Sequence, residues 1–126
     1  MKTECVLAAI ENCFSFLDKK GFIKKVFLVE NLEMGVTYSD SSSDLKIVIT
    51  YDKREHTIDY GVINNRGNYS PLYEVLYKFP RYCTPAELVI LKNASSTVIS
   101  KKNIQRVLDW TSEYIDKHIE LIKTYE

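Results

Sequence analysis

The chain has 126 residues, enough for one hydrophobic core and too few to need a second. Its 45% hydrophobic and 27% charged residues exclude a disordered chain, and seventeen Lys+Arg balance seventeen Asp+Glu, which leaves no overall field to draw it to nucleic acid or an anionic membrane. No window approaches the roughly 18 consecutive apolar residues of a membrane span.

From Thr3 to Lys20 the residues Val6, Ile10, Cys13, Phe14 and Leu17 recur at helical spacing, with Glu4 early, Lys19-Lys20 late and Gly21 at the stop. Phe22 to Glu30 reads as a strand, and its run Val26-Phe27-Leu28-Val29 predicts burial on both faces. Asn31 to Met34 is a turn, Gly35 to Tyr38 a second strand, and Asp40-Ser41-Ser42-Ser43-Asp44 a polar hairpin loop. Leu45 to Asp52 is the clearest strand, with Leu45, Ile47, Ile49 and Tyr51 facing one way and Lys46, Thr50 and Asp52 the other. After the turn Lys53-Arg54-Glu55, His56 to Ile63 returns with Ile58, Tyr60 and Val62 on one face.

Asn64 to Asn68 is a loop, and Ser70-Pro71 supplies an N-cap and a first-turn proline for a short helix ending at Phe79-Pro80. Thr84-Pro85-Ala86-Glu87 has the form of a capping box, and the helix it starts should end near Asn93. Ile104, Val107, Leu108, Thr111, Tyr114, Ile115, His118, Ile119 and Ile122 then trace one face of a long C-terminal helix. The expected fold is a single α+β domain over residues 1–126: an N-terminal helix, a three- to four-stranded antiparallel meander, two short helices and a long C-terminal one.

The three cysteines suggest neither bridge nor metal site. Cys5 and Cys13 lie on one predicted helix, about 12 Å apart at about 1.5 Å per residue, beyond the roughly 7 Å a disulfide spans. They read as small buried hydrophobes. Neither Cys83 nor His56 nor His118 completes a zinc spacing, and with no Gly-rich phosphate loop no cofactor is expected. His118, on the apolar helix face, reads as a hydrogen-bonded core residue.

Two constellations could carry chemistry. Asp44-Leu45-Lys46, with Asp40 or Glu30 as partner, matches the carboxylate-plus-Asp/Glu-x-Lys pattern of Mg²⁺-dependent nucleases, in which two acids hold the ion and the lysine orients water; it also reads as a solvated turn beside an edge lysine. Tyr51-Asp52-Lys53-Arg54-Glu55-His56 concentrates an aromatic, acids, bases and an imidazole in one turn, which suits a protein partner. It equally suits a charged hairpin with Tyr51 completing the core.

The frame Phe16 to Phe22, Gly35-Val36-Thr37-Tyr38-Ser39, Ile47 to Arg54 and Ile58 to Ile63, followed by a helical tail, resembles small bacterial immunity proteins of polymorphic or contact-dependent toxin systems. The resemblance covers about two-thirds of the chain, and Tyr51-Asp52-x-Arg54 is its most specific piece. It implies a non-enzymatic cytosolic protein that binds one toxin domain and blocks its active site or substrate path. Basic toxins of this kind are met by acidic patches. The expected partner surface comprises Glu30, Glu33, Asp40 and Asp44, gathered at one end of the meander, with Tyr38 and the turn residues Asp52, Arg54 and His56. Two other readings stand beside it, the metal-dependent nuclease and a phage or defence accessory protein that binds a host factor. Oligomeric state is open, since an unpaired edge strand could pair with a copy of itself or with a partner chain.

Overall fold

The computed structural model describes residues Met1 to Glu126 and has the expected α+β architecture. Two helices, α1 (Thr3–Cys13) and α2 (Ser15–Lys19), lead into β1 (Phe22–Val29), β2 (Glu33–Asp40), β3 (Lys46–Asp52), β4 (Thr57–Ile63) and β5 (Tyr69–Pro71). The helices α3 (Leu72–Tyr77), α4 (Pro85–Ser96), α5 (Ile104–Lys117) and α6 (Ile119–Ile122) follow. All five strands are antiparallel neighbours in the order β1-β2-β3-β4-β5.

One face of the sheet carries the core. Met34, Val36 and Tyr38 of β2, Ile47, Ile49 and Tyr51 of β3, and Ile58, Tyr60 and Val62 of β4 share that face by register and are buried. Val6, Ile10, Phe14 and Leu17 of the first helices pack with them, as do Leu108, Ile115, Ile119 and Ile122. Phe14 lies within about 6.5 Å of the rings of both Tyr38 and Tyr60 (6.4 and 6.3 Å between centroids), which pins the N-terminal helix across the middle of the sheet. At the back of the core the Thr111 hydroxyl donates to Tyr60 Oη (2.9 Å) and satisfies one buried phenol.

Several elements depart from expectation. The first helix and the C-terminal helix each break once, at Phe14 (φ −101°, ψ 14°) and at His118 (φ −111°, ψ 17°), and both residues are buried rings. Tyr69–Pro71, expected as a loop and helix cap, pairs with β4 as a fifth strand; proline fits there because β5 is an edge and needs no outward donor. The α3 N-cap is therefore Pro71 itself. The run Val26-Phe27-Leu28-Val29 is not buried on both faces. It lies in an edge strand that the helices barely reach, and Leu28 (68%), Ile23 (64%), Val26 and Val29 (both 39%) stay exposed. Cys5 is exposed and Cys13 half-buried; only Cys83 is a buried thiol. The Thr84–Glu87 capping box forms in both directions, with Glu87 N–H donating to Thr84 Oγ1 (3.2 Å) and Thr84 N–H to Glu87 Oε1 (3.0 Å).

Candidate functional site

The other face of the sheet carries no helix. By register it presents Ile23, Lys25, Phe27 and Val29 on β1, Glu33, Gly35, Thr37 and Ser39 on β2, Lys46, Val48, Thr50 and Asp52 on β3, and Thr57, Asp59, Gly61 and Ile63 on β4. Two aromatic rings lie flat on it. A Cβ at Gly35 would meet Phe27 Cζ at 2.3 Å, and one at Gly61 would meet the Tyr69 ring at 2.2 Å, so both glycines exist to seat a ring from the neighbouring strand.

Three carboxylates share this face with the rings. Glu33 is the direct cross-strand partner of Asp52, and Asp59 lies diagonally across from Asp52 on β4. Like charges in these positions destabilise a sheet. The effect is visible in Asp59, whose carboxyl is pushed above its ordinary range by burial and then by Asp52 and Glu33. The Tyr69 hydroxyl is raised by burial and then by Asp59 and Glu33, which places the ring against the same charges.

The turn that follows is built to stay still. Asp52 Oδ1 accepts the backbone N–H groups of Arg54 (2.8 Å) and Glu55 (3.1 Å), and those bonds hold its carboxyl below the usual range. Lys53 N–H donates to the Leu32 carbonyl (2.9 Å) of the preceding hairpin, and Ile99 N–H donates to the His56 carbonyl (2.8 Å). His56 takes the left-handed conformation (φ 58°), and its Nδ1 lies 3.0 Å from Tyr51 Oη. Compared with known protein families, curated proteins and solved structures, the chain matches none.

The residues expected to form one acidic surface fall into two separate groups. Glu33 and Asp40 occupy opposite ends of β2, roughly 23 Å apart at about 3.3 Å per residue. Glu30, Glu33, Asp52, Arg54 and His56 stand at one end and Asp40 and Asp44 at the other, because a strand as long as β2 carries its two turns to opposite ends of the sheet. Tyr38 is fully buried against Phe14 and presents no surface, since its even position in β2 points it to the core. Asp40 is buried too. Its burial works to raise its pKa, but hydrogen bonds from Ser43 (2.8 Å) and Ser42, with Lys123 behind, overcome this and hold the carboxyl low.

Asp40 thus fastens the hairpin loop, in which Asp44 (φ 59°) takes the left-handed position. Glu30 is at the far end of the sheet. Neither carboxylate proposed as Asp44's metal partner is free to join it and Lys46, and no three Asp, Glu, His or Cys side chains are grouped to hold a metal ion. The expected partner surface leaves out Asp59, Phe27 and Tyr69. Asp59 stands between the core residues Ile58 and Tyr60, and that alternation was the signal available for an outward-facing charge.

His118 is buried but not hydrogen-bonded through Nε2, contrary to expectation. Its ring meets Tyr114 edge-on (4.6 Å), and Tyr114 stacks on Trp110 (5.0 Å, 13°). Burial and then Lys117 hold its pKa below the ordinary value, against a smaller opposing effect of Glu87.

Proposed function

We propose that this chain is a non-enzymatic binding protein of the immunity type, which captures a basic toxin domain on the open face of its sheet. The observation that carries the reading is the juxtaposition of Glu33, Asp52 and Asp59 with the rings of Phe27 and Tyr69 on a face that no helix covers. Asp52 is already met by Arg54 (3.7 Å), but Asp59 faces Asp52 and Glu33 with no cation of its own, and a cationic partner would relieve that repulsion on binding. Flat aromatic rings beside it supply contact area with little entropy loss. The braced turn from Asp52 to His56 adds Arg54 at the rim, already ordered before any partner arrives.

The function does not depend on a charged molecule as a whole. The net charge is zero, and the acids are concentrated on one surface instead. The test pairs the purified chain with the product of the gene beside its own, by calorimetric titration and by assay of the toxin activity. Binding with inhibition is expected, and Glu33→Lys combined with Asp59→Lys should slow association and remove its salt dependence while leaving the urea midpoint no lower. Full affinity in the doubly reversed variant would overturn the assignment of this face.

A further inference from the structure

The two edges of the sheet are finished differently. β5 is three residues long and ends in Pro71, which suits an edge that takes no further strand. β1 has eight residues, carries no strand on its outer side, and shows solvent its apolar side chains on both faces. Its two lysines are the usual defence of such an edge. Their positions, however, make the strand complementary to itself.

Asp40 N–H donates to the Leu45 carbonyl (2.8 Å), so the even-numbered residues of β2 bond towards β3 and the odd-numbered ones towards β1. By the register Ile23, Lys25, Phe27 and Val29 then bond inwards, and Lys24, Val26 and Leu28 turn their N–H and C=O groups to the open edge. An antiparallel copy must therefore pair through the even residues. A two-fold axis through Phe27 does so, setting Phe27 opposite its copy, Val26 opposite Leu28, Lys25 opposite Val29 and Lys24 opposite Glu30. Every lysine meets an apolar residue or a carboxylate, and none meets a lysine. Glu30 is exposed and has no ion pair within its own chain, whereas Lys24 reaches Glu11 beside the same edge.

We infer that the chain forms a symmetric dimer through β1, joining two five-stranded sheets into one, with Phe27 on the two-fold axis and reciprocal Lys24–Glu30 pairs. The helices do not stand in the way at the centre, since Val26 and Leu28 are exposed on the helix side. A pairing of one strand buries less than the roughly 1,200 Å² of a standard interface, so the dimer is concentration-dependent.

Sedimentation of the purified chain across a concentration series up to about 1 mM should show a reversible monomer–dimer equilibrium, and Leu28→Lys should shift it to monomer with an unchanged urea midpoint. Lys24→Glu and Glu30→Lys, each alone, bring like charges together and should be monomeric; mixed in equal amounts they should form a heterodimer. In a Cys5→Ser, Cys13→Ser background, Phe27→Cys should crosslink to a disulfide dimer on oxidation, since non-hydrogen-bonded pairs bring side chains closest. A chain that stays monomeric throughout, or a dimer indifferent to Leu28→Lys, would overturn the inference. Dimerisation without recovery in the mixed pair would overturn the register.

Discussion

The two faces of the sheet are built from the same three central strands and obey opposite rules. On the helix side Val36, Ile47, Ile49 and Val62 are wholly buried, and nearly every position is filled by a branched or aromatic side chain. On the open side the same strands carry glycines, threonines and three carboxylates, with Val48 the one apolar residue buried between them. Stability is placed on one face, and the other is free to hold charges and rings that packing alone would not select. The division follows from the two-residue period of a strand, which lets each face answer to its own constraint.

The contrast breaks most sharply by truncation. Phe14→Ala or Ile49→Ala should lower stability by about 2–5 kcal/mol, whereas Ile23→Ala or Lys46→Ala, on the open face, should stay within about 0.5 kcal/mol; urea midpoints compare them directly. Next come the glycines. Gly35→Ala should cost about 1–3 kcal/mol, because its Cβ would meet the Ile49 backbone oxygen at 2.7 Å as well as the Phe27 ring. Gly61→Ala should cost less, since the nearest obstacle is the tip of the Tyr69 ring, which can swing aside, and a change in tyrosine emission would report that movement. Thr84→Ala removes the capping box of α4 and should cost about 1 kcal/mol.

The smallest effects are pH-dependent and run in opposite directions on the two sides. His118 has a folded pKa below its unfolded value of 6.5, so the unfolded chain takes up the proton first. Its contribution to stability is complete above that value and is lost as pH falls below it. His118→Leu, which also removes an unpaired buried nitrogen, should flatten the decline that sets in as pH falls through 6.5. Asp59 has a raised folded pKa, so the fold favours its protonated form, and the advantage disappears as pH rises from 3.8 through the folded value. Asp59→Asn should therefore slightly raise the thermal midpoint near neutral pH, and added salt should shrink the gain.

Much of the fold could be read from the sequence because the buried stripes are regular. Ile47, Ile49 and Tyr51 alternate with polar neighbours, Thr84 and Glu87 stand at capping distance, and Ile104 to Ile122 keep helical spacing, so local physics and tertiary packing agree. Where they disagree, the sequence misleads. Val26-Phe27-Leu28-Val29 has the composition of a central strand, but its burial is decided by which strand ends the sheet, and composition carries no information on that order. Tyr38 stands beside a turn in the sequence and so reads as surface, but the strand runs on to Asp40, and there Tyr38 continues the buried alternation of Met34 and Val36. The acidic surface was legible in part. Glu33 and Asp52 were among the expected residues, but their pairing is a matter of register between strands, and Asp59 joins them only through that register.

Trp110 is the only tryptophan in the chain, and it stacks on Tyr114 in the groove between α4 and α5, beside Ile90 and Arg106. The groove is lined by residues of α4, α5 and the turn after α4, so tryptophan emission reports mainly on the helical layer. Four of the nine tyrosines, Tyr38, Tyr51, Tyr60 and Tyr69, belong to the sheet and the other five to the helices and their connections, so tyrosine emission reports the whole fold. Unfolding followed by tryptophan emission and by the far-ultraviolet circular dichroism of the whole backbone therefore sets the helical layer against the molecule without a label: coincident curves mean one cooperative unit, and an earlier tryptophan transition means that the helices peel from a sheet that persists.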